Sequence, residues 1–161
     1  MNKWEKIHKE RDWGRYPSEE LVRFIGKNFF KYDKETRKNI KILELGTGQG
    51  ANVWFLLREG FNVYGIDISQ SAIRKMQDRL IKDGFKLDDF NNRFKVGDIR
   101  NIPFKDSYFD IVIDVATTWC VSYSDHKKVY NGVWRVLKKN GYFFTLHILK
   151  DSWGYCKNNL I

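Results

Sequence analysis

The sequence predicts an α/β fold in which a mainly parallel sheet is covered by helices on both faces. Three observations carry this. From Lys41 onward, short apolar runs alternate with segments of helical periodicity. The first run, "KILEL", passes directly into glycines at alternate positions in "LGTGQGAN". The second run ends in an acid, Asp67, 21 residues after Gly46. Strands that alternate with helices in this way are parallel and buried beneath them.

Ahead of the alternation, residues 3–11 allow a short helix with Trp4 and Ile7 on one side, and "WGRYP" ends it. Ser18 caps a second helix. Glu19 and Glu20 in its first turn suit the positive helix end, and Leu21, Ile25 and Phe29 recur every four residues. "KYDKETRKN" reads as a charged connector. Then come strand "KILEL", helix "ANVWFLLRE", strand "FNVYGI", and a helix over "SQSAIRKMQDRLIKDG". That helix has Ile73, Met76, Leu80 and Ile81 on one face and Gly84 at its end. "RFKVG" and "FDIVIDV" are the third and fourth strands. "SDHKKVYNGVWRVLKKNG" is predicted as a helix with Val129, Val133, Val136 and Leu137 inward and Gly141 at its end. "YFFTLHIL" is the fifth strand.

The composition narrows the class. With 161 residues, 42% hydrophobic residues and two prolines, the chain suits one folded domain. Its apolar runs fall well short of the ~20 residues of a spanning helix. The charged N-terminus lacks the apolar stretch of a secretory signal, so a cytoplasmic location is expected. Cys120 and Cys156 read as free thiols of a reducing compartment. His8, His126 and His147 are scattered, so no metal is expected. The net charge of +9 is of a kind that attracts nucleic acid or acidic membranes. Most cations alternate with acids, however, and a solvated basic surface with no membrane partner is the expectation.

A bare turn between a strand and a helix lets a ligand approach the backbone closely. An acid ending the next strand is placed to accept hydrogen bonds from ribose hydroxyls. Two ligand classes fit. "GTGQGA" satisfies the dinucleotide form G-x-G-x-x-[GA], with Ala51 last. Glu44, two residues before Gly46, would repel a pyrophosphate that it faced. It would suit a cationic ligand such as S-adenosylmethionine (SAM), which carries a sulfonium and an ammonium and no phosphate.

"ILELGTGQGAN" resembles the first motif of the class I SAM-dependent methyltransferases, acid-x-G-x-G-x-G, and the type 11/25-like domains in particular. "VYGIDIS", "KVGDIRNIPF", "FDIVIDVATTWCV" and "VLKKNGYFF" resemble the later motifs in their order, so the likeness covers about residues 40–149. It implies a Rossmann-like sheet of order 3-2-1-4-5 over 41–161, behind an N-terminal helical cap over 1–40. It implies SAM as cofactor, S-adenosylhomocysteine as product, and no metal. The cofactor residues it implies are Glu44, Gly46, Gly48, Gly50 and Asn52 of the first motif. Asp67 is implied for the ribose, Ile68 for the adenine face, Asp98 and Ile99 for the adenine edge, and Asp114 beside the methionine. The segment "WGRYPSEELVRF" is similar to one that precedes the core in methyltransferases of small molecules. As a lid, it would let Arg15 pair with the cofactor's carboxylate, beside Trp13 and Tyr16.

Methyl transfer needs alignment and exclusion of water more than covalent help. The catalytic residue is therefore less legible than the cofactor site. His147 and Asp114 are candidate bases, His126 is expected at the surface, and Thr117, Thr118 and Trp119 are expected near the acceptor. The expected reaction moves a methyl group to an oxygen or nitrogen atom of a small molecule. RNA methylation and a non-catalytic SAM-binding subunit are the alternatives. The residues after strand five cannot supply the strand pair that usually follows in the family. An apolar edge at strand five is then expected to pair with a second copy, or to belong to a longer protein.

Overall fold

In the computed structural model, residues 2–90 and 92–147 are described, apart from the side chains of Leu87 and Asp89. Five strands form one parallel sheet: β1 (Lys41–Leu45), β2 (Asn62–Asp67), β3 (Phe94–Val96), β4 (Phe109–Val115) and β5 (Leu137–Leu146). Their order is β3-β2-β1-β4-β5, as predicted, with β1 between β2 and β4. The order reverses at β1, which places a crevice at the carboxyl ends of β1 and its neighbours.

The helices are α1 (Lys3–Glu10), α2 (Glu19–Phe29), α3 (Lys34–Arg37), α4 (Ala51–Arg58), α5 (Gln70–Lys82) and α6 (Tyr123–Val136). Period-two alternation in β1 splits the core. Ile42 joins Leu21, Ile25, Val53, Leu56, Met76 and Leu80 under α2, α4 and α5. Leu43 and Leu45 join Val112, Val129 and Val133 under α6. Burying these apolar side chains drives the assembly.

The expected helices form; Ser18 caps α2 as predicted, and Ser69 caps α5. Ser18 Oγ accepts from Leu21 N at 3.3 Å, and Ser69 Oγ accepts from Ala72 N at 3.0 Å. Three details differ from the sequence reading. Ile81 is 45% exposed, because one step of about 100° beyond Leu80 turns it out of the apolar stripe. The charged connector contains α3, capped by Asp33, whose Oδ1 accepts from Thr36 N at 2.7 Å. Its Arg37 is buried over the Phe30 and Phe61 rings and pairs with Glu59.

The largest difference is at α6, which ends at Val136 and not at Gly141. Its last carbonyls accept from residues leading into β4: Ser107 N bonds Arg135 O, and Tyr108 N bonds Val136 O. From Leu137 the chain is already β5, with extra residues bulged out before Tyr142 pairs with Ile111. A Cβ at Gly141 would sit 2.9 Å from Asp110 O, so only glycine lies this flat against β4.

Residues 148–161, with the end of "YFFTLHIL", Cys156 and the question of further strands, lie outside the described residues. Within the described residues β5 pairs only with β4. Phe143 and Phe144 on its two faces are nevertheless half-buried, while Tyr142 is exposed. Phe144 stacks on Phe24 at 5.0 Å, and Phe143 meets Tyr130 of α6 at 6.0 Å. No described helix is long and apolar enough to cross a membrane.

Candidate functional site

A cavity of about 380 Å³ opens at the carboxyl ends of the first four strands. Gly46, Gly48, Asp67, Ile68, Asp98 and Ile99 line its floor and one side. Ala116, Thr117 and Cys120 line the other, and Trp4, His8 and Trp13 of the N-terminal segment overhang it.

The glycine turn is tied to the end of β2. Gly46 N and Thr47 N both donate to Ile66 O, at 2.8 and 3.3 Å. Gly46 has φ +67°, and a Cβ there would occupy the space of the Thr117 side chain. The turn and the loop after β4 can touch only because Gly46 has no side chain. Gly50 serves packing instead: it caps α4 at φ +81° with Met76 of α5 against it, and it does not line the cavity.

Asp67 is 6% exposed, and it lines the cavity. Its Oδ2 accepts from Gly48 N and its Oδ1 from Ser69 N, each at 2.8 Å. Burial pushes its carboxyl above the usual range, opposed by those two N–H groups. Each oxygen keeps lone-pair capacity for a further donor.

Glu44 lies behind the turn and is 2% exposed. Asn52 Nδ2 of α4 donates to its Oε1 at 2.7 Å, while its Oε2 is buried with no hydrogen-bond partner. Burial raises this carboxyl to about 8, against the Asn52 bond; the carboxylates of Asp67 and Asp114 raise it further.

Asp98 caps the 3-10 turn Ile99–Asn101, and Arg100 grips its carboxylate. Arg100 also pairs with Asp125 in the first turn of α6, at 2.9 Å. Bonds to Arg100 hold the Asp98 carboxyl low. The guanidinium thus competes for the acid expected at an adenine edge.

Other expected site residues stand elsewhere. Asp114 is fully buried and shapes the loop after β4, its Oδ1 accepting from Thr117 N at 2.9 Å and Thr118 N at 3.1 Å. His147 Nε2 lies 3.5 Å from Asp114 Oδ2 without making a hydrogen bond. Neither lines the cavity, and neither do Asn52, Thr118 or Trp119. His126, in the first turn of α6, meets Val121 O at 3.0 Å. Arg15 is also away from the cavity. Past Trp13 the chain runs along α5, where Arg15 O accepts from Arg79 Nη2 at 2.6 Å and Tyr16 meets Trp54 edge-on. The pairing expected of Arg15 is thereby corrected.

What fastens the overhang was not visible in the sequence. Glu5 of α1 reaches the start of α5, where its carboxylate accepts from Ser69 Oγ, Ser71 Oγ and Ser71 N at 2.6–3.1 Å. Gln49, the one long side chain in the glycine turn, holds three partners. Its Nε2 donates to Arg11 O at 2.8 Å and lies 3.3 Å from His8 Nδ1, and its Oε1 accepts from Trp13 N at 3.0 Å. Burial lowers the His8 pKa and favours the neutral ring, whose nitrogen can accept from that amide. The only sequence signal was a glutamine where small residues otherwise stand.

The site suits a cationic nucleoside on its own chemistry. It has a bare turn, two acids at the strand ends and apolar Ile68 and Ile99 beside them. Behind the turn, outside the cavity lining, Glu44 keeps a buried carboxyl oxygen with no partner. Comparison with known proteins agrees. The family model "Methyltransferase domain" matches residues 36–154. The chain belongs to the class I SAM-dependent methyltransferases.

This methyltransferase domain is 34% identical over 114 residues to the demethylmenaquinone methyltransferase of Thermotoga maritima, covering 70% of this chain and 45% of that protein. It is 31% identical over 105 residues to the phthiotriol/phenolphthiotriol dimycocerosates methyltransferase of Mycobacterium tuberculosis, covering 64% and 36%. Among solved structures, the PH0226 protein of Pyrococcus horikoshii OT3 superposes with a TM-score of 0.60 at 32% identity, covering 80% of this chain and 54% of that one. The chain spans about half the length of the curated relatives it matches, or less.

Proposed function

We propose that this chain binds SAM in the strand-end cavity and moves its methyl group to a nitrogen or oxygen atom of a small molecule. The observation that carries the reading is Glu44. A carboxylate with one oxygen unpaired, sealed behind the glycine turn, is costly unless a cation comes to lie near it.

The bound cofactor supplies a methyl group on a sulfonium, a good leaving group. The chain supplies alignment and dryness. Asp67 accepts from the ribose hydroxyls on its remaining lone pairs, and Ile68 and Ile99 cover the adenine. Glu44, protonated in the free fold, gives the turn a negative field once a cation favours its charged form. Trp4 and Trp13 close the cavity from above and keep water out. Asp67 and Asp98, the carboxylates that line the cavity, are already hydrogen-bonded. Asp114 and His147 stand away from it, and His8, the imidazole that lines it, faces the Gln49 amide through Nδ1. A nitrogen nucleophile that arrives neutral needs none of these groups, whereas a hydroxyl would need one of them as base. The relatives named for small and lipid acceptors support a small-molecule substrate.

The test is incubation with methyl-labelled SAM and separate pools of small metabolites and RNA. Label in a small-molecule fraction, abolished by Asp67→Ala, is the expected result. Binding of SAM with no transfer to either pool would identify a cofactor-binding subunit instead.

A further inference from the structure

A second concavity, of about 550 Å³, lies on the α6 side of the sheet, toward the amino ends of the strands and away from the cofactor cavity. Tyr64 and Tyr108 form its floor, their hydroxyls 3.0 Å apart. Arg93, Lys95 and Lys105 line it, with Phe104 as a wall. Lys41 stands at its edge, its ammonium 4.1 Å from the Tyr108 ring centre.

The charges here are unusual in their partners. Lys95 lies 4.7 Å from the Phe104 ring centre and Arg93 lies 5.7 Å from that of Tyr64, so three cations are held by aromatic rings. Among the described side chains none of Lys41, Arg93, Lys95 and Lys105 pairs with a carboxylate, and no acid lines the groove. The acids nearby are taken. Asp106 pairs with Arg135, and Asp110 accepts from Lys138 Nζ and Lys41 N. Elsewhere on this basic chain, cations such as Arg23, Lys38, Lys75 and Arg100 do find carboxylates.

A groove that gathers four cations, three of them held on ring faces, with no acid among its described lining residues, is suited to anions. Lys41 begins β1, whereas Arg93 and Lys95 belong to the β3 end two strands away. With strands about 4.8 Å apart and about 3.3 Å per residue, the backbone span is on the order of 12–16 Å, enough for more than one phosphate. The shape is an open trough rather than a closed pocket, and the ring faces already carry the protein's own cations. Those features favour a sugar–phosphate strand held by its backbone over a base read by stacking. A membrane surface, which is broad, does not fit a trough.

We propose that this groove is an RNA-backbone site, separate from the cofactor cavity, that anchors a single strand through its phosphates. It makes no assumption about the methyl acceptor, and SAM binding and RNA binding are lost by different substitutions.

The test is fluorescence anisotropy with a labelled single-stranded RNA of about 12 nucleotides, across a salt series. Arg93→Ala/Lys95→Ala is expected to weaken binding at least tenfold and to reduce the log–log salt slope by about 1.4, as loss of two single-strand phosphate contacts requires. Lys105→Ala, on an exposed loop, is expected to weaken it about threefold with the melting temperature unchanged. The charge-matched control Lys27→Ala/Lys31→Ala is expected to have less than a twofold effect. Equal weakening by groove and control pairs, no binding by the wild type, or binding of a mononucleotide as tight as the strand would each overturn the proposal.

Discussion

Asn52 and Glu44 meet by a wholly buried hydrogen bond of 2.7 Å between α4 and β1, and the second Glu44 oxygen has no partner. With its carboxyl raised from 4.5 to about 8, Glu44 is protonated in the free fold at neutral pH. The folded state then holds a proton that the unfolded chain releases above about 4.5. Stability from this group is complete below that value and is lost as pH rises through about 8. Urea unfolding across this range is expected to show stability falling with pH in the wild type and a flatter profile in Glu44→Gln.

The same linkage predicts proton release on binding. A cation beside Glu44 favours its charged form, so SAM affinity rises with pH toward about 8. Calorimetry in buffers of different ionisation heats is expected to show the released proton, and Glu44→Gln is expected to lose it.

Gly46 and Thr117 share one volume. Gly46→Ala combines a positive φ with a collision, and a destabilisation of more than ~1 kcal/mol is expected, with SAM affinity reduced. Gly48→Ala meets nothing closer than His8 at 3.8 Å and is expected to cost less. Thr117→Ala should restore part of the loss in the Gly46→Ala background. A double-mutant cycle of unfolding free energies reads that coupling.

The N-terminal overhang is predicted to be a clasp. Gln49→Ala removes partners from Arg11 and Trp13 and is expected to speed SAM release about tenfold, the worth of one or two hydrogen bonds. The Glu5 carboxyl is held down at about 2 by its bonds to Ser71 and Ser69. Its contribution is present above about 4.5 and is lost as pH falls toward 2. Hydrogen exchange in α1 should accelerate in Glu5→Gln at neutral pH.

Among the described residues β5 pairs only with β4, and its other edge is proposed to pair with a second copy of the chain. Sedimentation at rising concentration is expected to show a dimer. A replacement of Thr145 by proline, which removes a backbone donor from β5, is expected to shift it toward monomer.

The alternation of strands and helices and the cofactor turn were legible because they follow from short-range pattern: apolar runs, glycine spacing, and an acid at a strand end. The strand order came from the family resemblance. The end of α6 was not legible, because the bonds that stop it come from Ser107 and Tyr108, each 28 residues before the carbonyl it meets. The catalytic candidates misled for a related reason. Asp114 and His147 stand at strand ends, yet Asp114 is consumed in holding the loop at Thr117 and Thr118. Arg15 sits beside an aromatic pair in sequence, but only Trp13 of that cluster reaches the cavity. The partners of Gln49 lie 36–41 residues away, beyond any local pattern.

The most direct measurement is an isothermal titration of SAM into the purified chain, with nicotinamide dinucleotide as comparison. Binding of SAM, weakened at least tenfold by Asp67→Ala, is the predicted result. Heat with the dinucleotide and none with SAM or its demethylated product would contradict the account.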